Sequence, residues 1–185
     1  MRRYVVSLVV VAVLSFASLF LFAGAGIGAS ETVTSIRLRD ACDPATFNAV
    51  IGPGTCEAGQ HGTQTFQLFI QEVSEDRVAG SWRYSFPKFV VATGRPTQLD
   101  NRGGEFHTFT RVAKFGGGFV DVLNQLSGNP VPAPECLAPP SGSNVFVPGN
   151  TAIPGPVAGS PDLPAGVNRF ECCIHPWMRT TITVK

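Results

Sequence analysis

Proline and glycine cut this chain too finely for long helices. Between residues 116 and 166 it runs through FGGG, NPVPAPE, APPSGS, VPGN and PGPVAGSPDLP. A proline in a helix interior removes a hydrogen bond and clashes with the preceding turn, and in a sheet it is confined to edges and bulges. The stretch reads as a long irregular surface insertion with one short strand at NVFV. Elsewhere, short apolar runs alternate with polar residues and stop at turn residues, the pattern of strands with one buried face. In RVAGSWRYSF, Val78, Gly80, Trp82, Tyr84 and Phe86 take every second position and Pro87 ends the run, so Trp82 is expected in the core. TSIRLR, TQTFQLFIQEV, KFVVA, TGRPTQLDN and GGEFHTFTRVAKF read as further strands, the last carrying His107. CDPATFNAVIGPGTC reads as a loop, and VNRFECCIHPWMRTTITV as two strands about a tight loop at 174–177. The expected fold class is all-β with little helix.

Residues 1–30 stand apart. Arg2 and Arg3 precede an uncharged apolar stretch from Tyr4 to Gly28, and polar sequence begins at Glu31. This is the pattern of a leader helix that is either a signal peptide or an N-terminal membrane anchor. Either way the domain at 31–185 is expected outside the cytoplasm: secreted, periplasmic, or at the outer face of the cytoplasmic membrane. A membrane enters only through that anchor. Taking the leader's two arginines from 14 basic residues leaves 12 against 13 acidic ones, a net charge of −1. With no basic run to hold a phosphate backbone, nucleic acid is not an expected partner. A glycine-rich phosphate loop and a nucleophile elbow are both missing from the sequence.

All five cysteines, Cys42, Cys56, Cys136, Cys172 and Cys173, follow the leader. An oxidising compartment favours disulfides, and an odd count leaves a thiol over. A Cys42–Cys56 bridge would close the CDPATFNAVIGPGTC loop. Near the C-terminus, RFECCIHPWM packs Cys172, Cys173, His175 and Met178 into seven residues. On a strand, Phe170 and Cys172 share one face while Glu171 and Cys173 share the other. Cys172, His175 and Met178 recur at intervals of three around a turn stiffened by Pro176, so thiolate, imidazole and thioether can converge. Thiolate and thioether select copper, and two His with one Cys and a weak axial Met make a blue-copper electron-transfer centre. The second histidine must be His61, in a turn-like stretch, or His107, whose strand context favours it. Trp177 is either packing or part of an apolar contact patch near the metal.

CCIHPWMRTTITV resembles the C-terminal copper-binding loop of the cupredoxins, the type 1 blue copper proteins, and its Cys-x-x-His-Pro-x-Met pattern is most similar to amicyanin loops. PKFVVATGRPTQLDNRGGEFHTFT matches the upstream half of that family's pattern: a strand, a glycine turn, a second strand ending in Asn101, then a His-Thr pair. The resemblance covers about residues 82–113 and 167–185. It implies a Greek-key β-sandwich over 31–185, one copper ion, His107, Cys172 and His175 as equatorial ligands, and Met178 as axial ligand. It also implies that His175 reaches the surface as the point where electrons enter. Thr108 and Pro176 would support the ligands from behind. The stretch between His107 and Cys172 is longer than in the small electron carriers, which unsettles how a partner docks. If Cys172 binds copper and Cys42 pairs with Cys56, then Cys136 and Cys173 remain to pair, tying the insertion over the copper end; four cysteines allow three connectivities. The function implied is a mononuclear copper protein carrying single electrons to or from a redox partner protein, and no enzyme. Copper storage or delivery, or a metal-free disulfide-stapled interaction domain, are the alternatives.

Overall fold

The computed structural model describes residues 33–58, 62–140 and 144–185, so the leader at 1–30 and His61 lie outside the described residues. Among the described residues no helix is long and apolar enough to cross a membrane. The strands are β1 (Thr34–Arg39), β2 (Arg83–Tyr84), β3 (Lys88–Val91), β4 (Thr97–Asn101), β5 (His107–Val112), β6 (Asn144–Val147), β7 (Ala152–Pro154), β8 (Gly166–Glu171) and β9 (Arg179–Val184). They form a four-stranded sheet in the order β2-β1-β4-β7 and a five-stranded sheet in the order β3-β9-β8-β5-β6. Both are mixed: β1 runs parallel to β4 and β3 parallel to β9, and the other pairs are antiparallel.

Alternation along the strands builds the core between the sheets. Ile36, Leu38 and Leu99 of the first sheet are buried in one cluster with Phe109, Phe170 and Ile182 of the second. The rings of Phe109 and Phe170 stack with centroids 4.1 Å apart across neighbouring strands. The two sheets and the core between them make the β-sandwich that the sequence implied.

Two segments read as loop or strand are helical. TQTFQLFIQEV contributes α2, Phe66–Asp76, and the CDPATFNAVIGPGTC loop contains α1, Pro44–Val50. The Thr65 side chain caps α2 by accepting from Leu68 N, and the helix ends at Arg77 in the left-handed region, φ 65°. Phe66, Phe69, Ile70 and Val73 fall at i, i+3, i+4 and i+7, one helical stripe that packs into the core. α1 starts with Pro44 behind an Asp43 cap, and buries Phe47. The two helices meet on Trp82, whose ring centroid lies 5.9 Å from that of Phe47 and 4.5 Å from that of Phe69. RVAGSWRYSF shortens to the two residues of β2; Trp82 and Tyr84 are buried as expected, while Val78 and Phe86 are exposed.

The insertion is also more ordered than its composition suggested. It carries β6 as expected, which closes one edge of the five-stranded sheet, and β7, which closes one edge of the four-stranded sheet. It also holds the short helix α3 (Asp121–Leu126) and a 3-10 turn at Pro134–Leu137. Disulfides join Cys42 to Cys56 and Cys136 to Cys173, and Cys172 is a buried free thiol. In the loop-closure model the bridges contribute about 3 and about 4 kcal/mol for sequence separations of 14 and 37.

Candidate metal centre

β8 delivers its last residues with opposite orientations. Phe170 and Cys172 enter the main core, while Cys173 joins Val112, Ala133 and Cys136 in a second cluster on the other face of the sheet. From Cys172 the chain turns through His175 and Pro176 and returns at Met178. Met178 N donates to His175 O at 2.9 Å and Cys172 N donates to Met178 O at 3.0 Å, so both ends of the loop are fixed. β5 lies alongside and begins at His107. Thr108 ties it to the loop twice: its backbone N–H points to Cys172 Sγ at 3.3 Å, and its hydroxyl accepts from Cys173 N at 2.7 Å.

His107, Cys172 and His175 thereby meet. The Nδ1 atoms of His107 and His175 lie 3.9 and 3.8 Å from Cys172 Sγ, and the three donor atoms fall within 4.8 Å of one another. All three residues are buried, as are Met178 and Pro176 of the same loop. Of the four residues expected from the sequence, His107, Cys172 and His175 are brought together, and Met178 is buried in the same loop.

Each imidazole is backed by a carboxylate on its far nitrogen. His107 Nε2 lies 2.9 Å from Asp40 Oδ2, and His175 Nε2 lies 3.5 Å from Glu105 Oε2. Asp40 is held in turn by the backbone N–H groups of Cys42, Gly104 and Glu105, at 3.2, 3.0 and 3.1 Å. Glycine is required here: a Cβ at Gly103 would collide with the Asp40 carboxylate, and one at Gly104 with the Glu57 carbonyl. Glu105 accepts from Trp82 Nε1, and Asn101 Nδ2 donates to its carbonyl at 2.7 Å. Asn101, at the end of β4, so fixes the loop that carries both Glu105 and His107.

These contacts set the charge of the site. Burial pushes the Cys172 thiol up, but the facing His107 and His175 outweigh it and hold the thiol well below its ordinary 9.0. Burial alone would lower His107; its bonds to Asp40 and Cys172 reverse this and raise it to about 10. Asp40 is lowered, its desolvation overcome by His107 and the backbone donors, whereas burial keeps Glu105 raised. Both shifts favour a thiolate on Cys172 facing a protonated His107. A thiolate and two imidazole nitrogens, turned toward one another with a buried thioether in the same loop, form a donor set suited to copper. Asp40 and Glu105 fix the rings and their tautomers from behind.

One expectation is corrected. His175 does not reach the surface: it is 2 % exposed. Trp177 stands 5.5 Å from its ring and Phe69 6.0 Å, centroid to centroid, so α2 and the loop's own tryptophan flank it, and it lies at the floor of an apolar groove lined by Phe66, Phe69 and Ile174. Trp177 is packing, half-buried against the core, with Nε1 donating to Ala79 O. The Cys42–Cys56 and Cys136–Cys173 pairings are as expected, and the insertion reaches the end of the sandwich that carries His107 and Cys172, with Phe119 N donating to Cys173 O and Val147 opposite His107. Asp40 and Glu105 were not anticipated. Glu105 stands two residues before His107, a weak local signal, while Asp40 follows the end of β1, 67 positions away.

The sequence matches no family model and no curated protein sequence. Among solved structures the chain is similar to a purple cupredoxin from Nitrosopumilus maritimus, with a TM-score of 0.37 and 11 % identity over 82 % of this chain and 99 % of that one. It is also similar to a reduced amicyanin variant, at TM-score 0.36 and 19 % identity over 58 % of this chain and 77 % of that one. A third is oxidised plastocyanin from Dryopteris crassirhizoma, at 0.33 and 17 % over 57 % and 91 %. Likenesses this loose carry no argument of their own, and the centre is read from its own side chains.

Proposed function

We propose that the chain is an extracytoplasmic mononuclear copper protein that carries single electrons, with His107, Cys172 and His175 as equatorial ligands and Met178 as axial ligand. One observation carries this reading: two imidazole Nδ1 atoms face one buried thiolate at 3.9 and 3.8 Å, each imidazole being backed by a carboxylate. A copper ion bound there supplies a one-electron couple. The chain's part is to keep the ligands still. Asp40 and Glu105 orient the rings, the Thr108 N–H draws electron density from Cys172 Sγ, and Pro176 stiffens the loop between His175 and Met178. Four donors from the chain leave no position for a substrate, which favours a carrier over an enzyme. Two disulfides favour an oxidising compartment, and a carrier of this kind serves a redox partner protein.

The test is addition of Cu(II) to the purified metal-free protein. An intense blue or violet thiolate-to-copper band, one equivalent at saturation, with reversible voltammetry, is the expected result, and Cys172→Ser abolishes the band. Copper uptake without reversible redox points instead to storage or delivery. A colourless protein that takes up no copper overturns the metal reading.

A further inference from the structure

The outer face of the four-stranded sheet carries charge that the metal centre does not use. Arg37 and Arg39 alternate along β1 on the side away from Ile36 and Leu38, and Arg83 of β2 sits directly opposite Arg39. Like charges placed opposite one another on antiparallel strands are unfavourable. Arg102, just past β4, and Arg37 lie on the same side, with Nε atoms 2.7 and 4.0 Å from Asp100 Oδ2. Among the described residues one carboxylate therefore serves this cluster of four guanidinium groups. Among them, too, Arg39 Nε is buried without a hydrogen-bond partner, and Arg83 donates to the Gly80 carbonyl. From Glu31 onward the chain has 12 basic and 13 acidic residues; four of the basic ones and one acidic one are gathered here, leaving 8 against 12 elsewhere. A nearly neutral chain has gathered a third of these cations on one sheet face beside a single described carboxylate.

We propose that this face docks an acidic protein surface. Guanidinium forks match carboxylates bidentately, and complementary charge steers association and fixes orientation. The outward neighbours Gln98, Ala152 and Pro154 are polar or small, and Val33 is exposed beside them; four guanidinium groups against so little apolar surface favour the carboxylates of a protein over the interior of a bilayer. The face also leads to the metal centre. Arg39 is followed in the chain by Asp40, whose Oδ2 lies 2.9 Å from His107 Nε2. A partner seated on the arginines is one residue and one hydrogen bond from a proposed ligand. The docking stands without copper; the electron route rests on the copper reading.

The test uses the full chain, metal-free and copper-loaded, titrated with poly-L-glutamate and followed by amide chemical shifts at low and at physiological salt. Shifts confined to β1, β2, β4 and Arg102 are expected, equal in the two forms and weakened by salt. Arg37→Gln with Arg83→Gln weakens binding by about fivefold or more, while Lys88→Gln with Lys114→Gln, removing the same charge elsewhere, does not. Equal weakening by both pairs, or shifts spread over the molecule, overturns the proposal. So does arginine-dependent binding to phosphatidylglycerol vesicles without binding to poly-L-glutamate, or self-association through this face. Loss of docking with an intact copper band sinks the docking alone, and docking with no copper band sinks only the copper reading.

Discussion

The proton that Cys172 gives up has somewhere to go. His107 faces the sulfur on one side and Asp40 on the other, and its pKa of about 10 means that it holds an extra proton throughout the neutral range. A metal ion needs that Nδ1 position, and ligands must be deprotonated to bind. Copper uptake at pH 8 is therefore expected to release about one proton, and the apparent affinity to rise about tenfold per pH unit until His107 titrates. Calorimetric titration in buffers of different ionisation heat measures the release. Asp40→Asn removes a group that holds the proton on His107 and so returns it toward Cys172: about one proton is still released, but the thiolate absorbance of the metal-free protein at pH 8 should fall, and an unchanged absorbance sinks this account. At this scale the ligands were legible because the spacing of Cys172, His175 and Met178 is local to one loop. Asp40 was not, since only tertiary packing carries it to His107, and nothing in RLRDAC marks its aspartate as buried.

α2 shows where the period was misread. In TQTFQLFIQEV the apolar residues are Phe66, Leu68, Phe69, Ile70 and Val73. Phe66, Leu68 and Ile70 fit a strand; Phe66, Phe69, Ile70 and Val73 fit a helix, and the helix wins because that stripe is buried while Leu68 is exposed. Thr65 was a capping signal available in the sequence. β6, β8 and β9 were legible because proline and glycine bound short runs with alternating burial. β7 was not, being three residues long and ending in a proline on a sheet edge. The helix that the alternation concealed is the one that closes the site. Phe69 is buried among Phe47, Trp82, His175 and Trp177. Phe69→Ala should cost about 3–5 kcal/mol in denaturant unfolding, as other buried phenylalanine truncations do. It should also shorten the hydrogen-exchange protection of the His175 loop. Lost stability with unaltered protection there would show that α2 packs without covering the loop.

Across the whole molecule these buried ionisable groups set how metal-free stability follows pH. Unfolded, Cys172 titrates at 9.0 and His107 at 6.5; folded, the thiol lies well below its value and His107 at about 10. Between pH 6.5 and 9 each state holds one proton on the pair, as thiol in one and imidazolium in the other, so the pair gives no slope. Below 6.5 the unfolded chain gains a second proton and stability falls with falling pH; above 9 it loses its thiol proton first and stability falls with rising pH. Glu171 adds a slope of the opposite kind. Burial raises it to about 7 from 4.5, partly offset by the Gly116 N–H and Arg179. The stabilisation associated with its protonated form is complete below 4.5 and is lost as pH rises through 7. Its carboxylate is buried behind the 3-10 turn that the Cys136–Cys173 bridge ties to the ligand loop, so the penalty falls on the contact between insertion and sandwich. Glu171→Gln keeps the shape and removes the titration. Calorimetric melting of the metal-free protein should show the variant gaining on the parent from pH 4.5 to just above 7. From there to about pH 9 the difference should hold constant, Glu171 being past its titration in both states and the pair being common to both proteins. A difference that is flat from pH 4.5 upward would show that Glu171 ionises as it does in the unfolded chain.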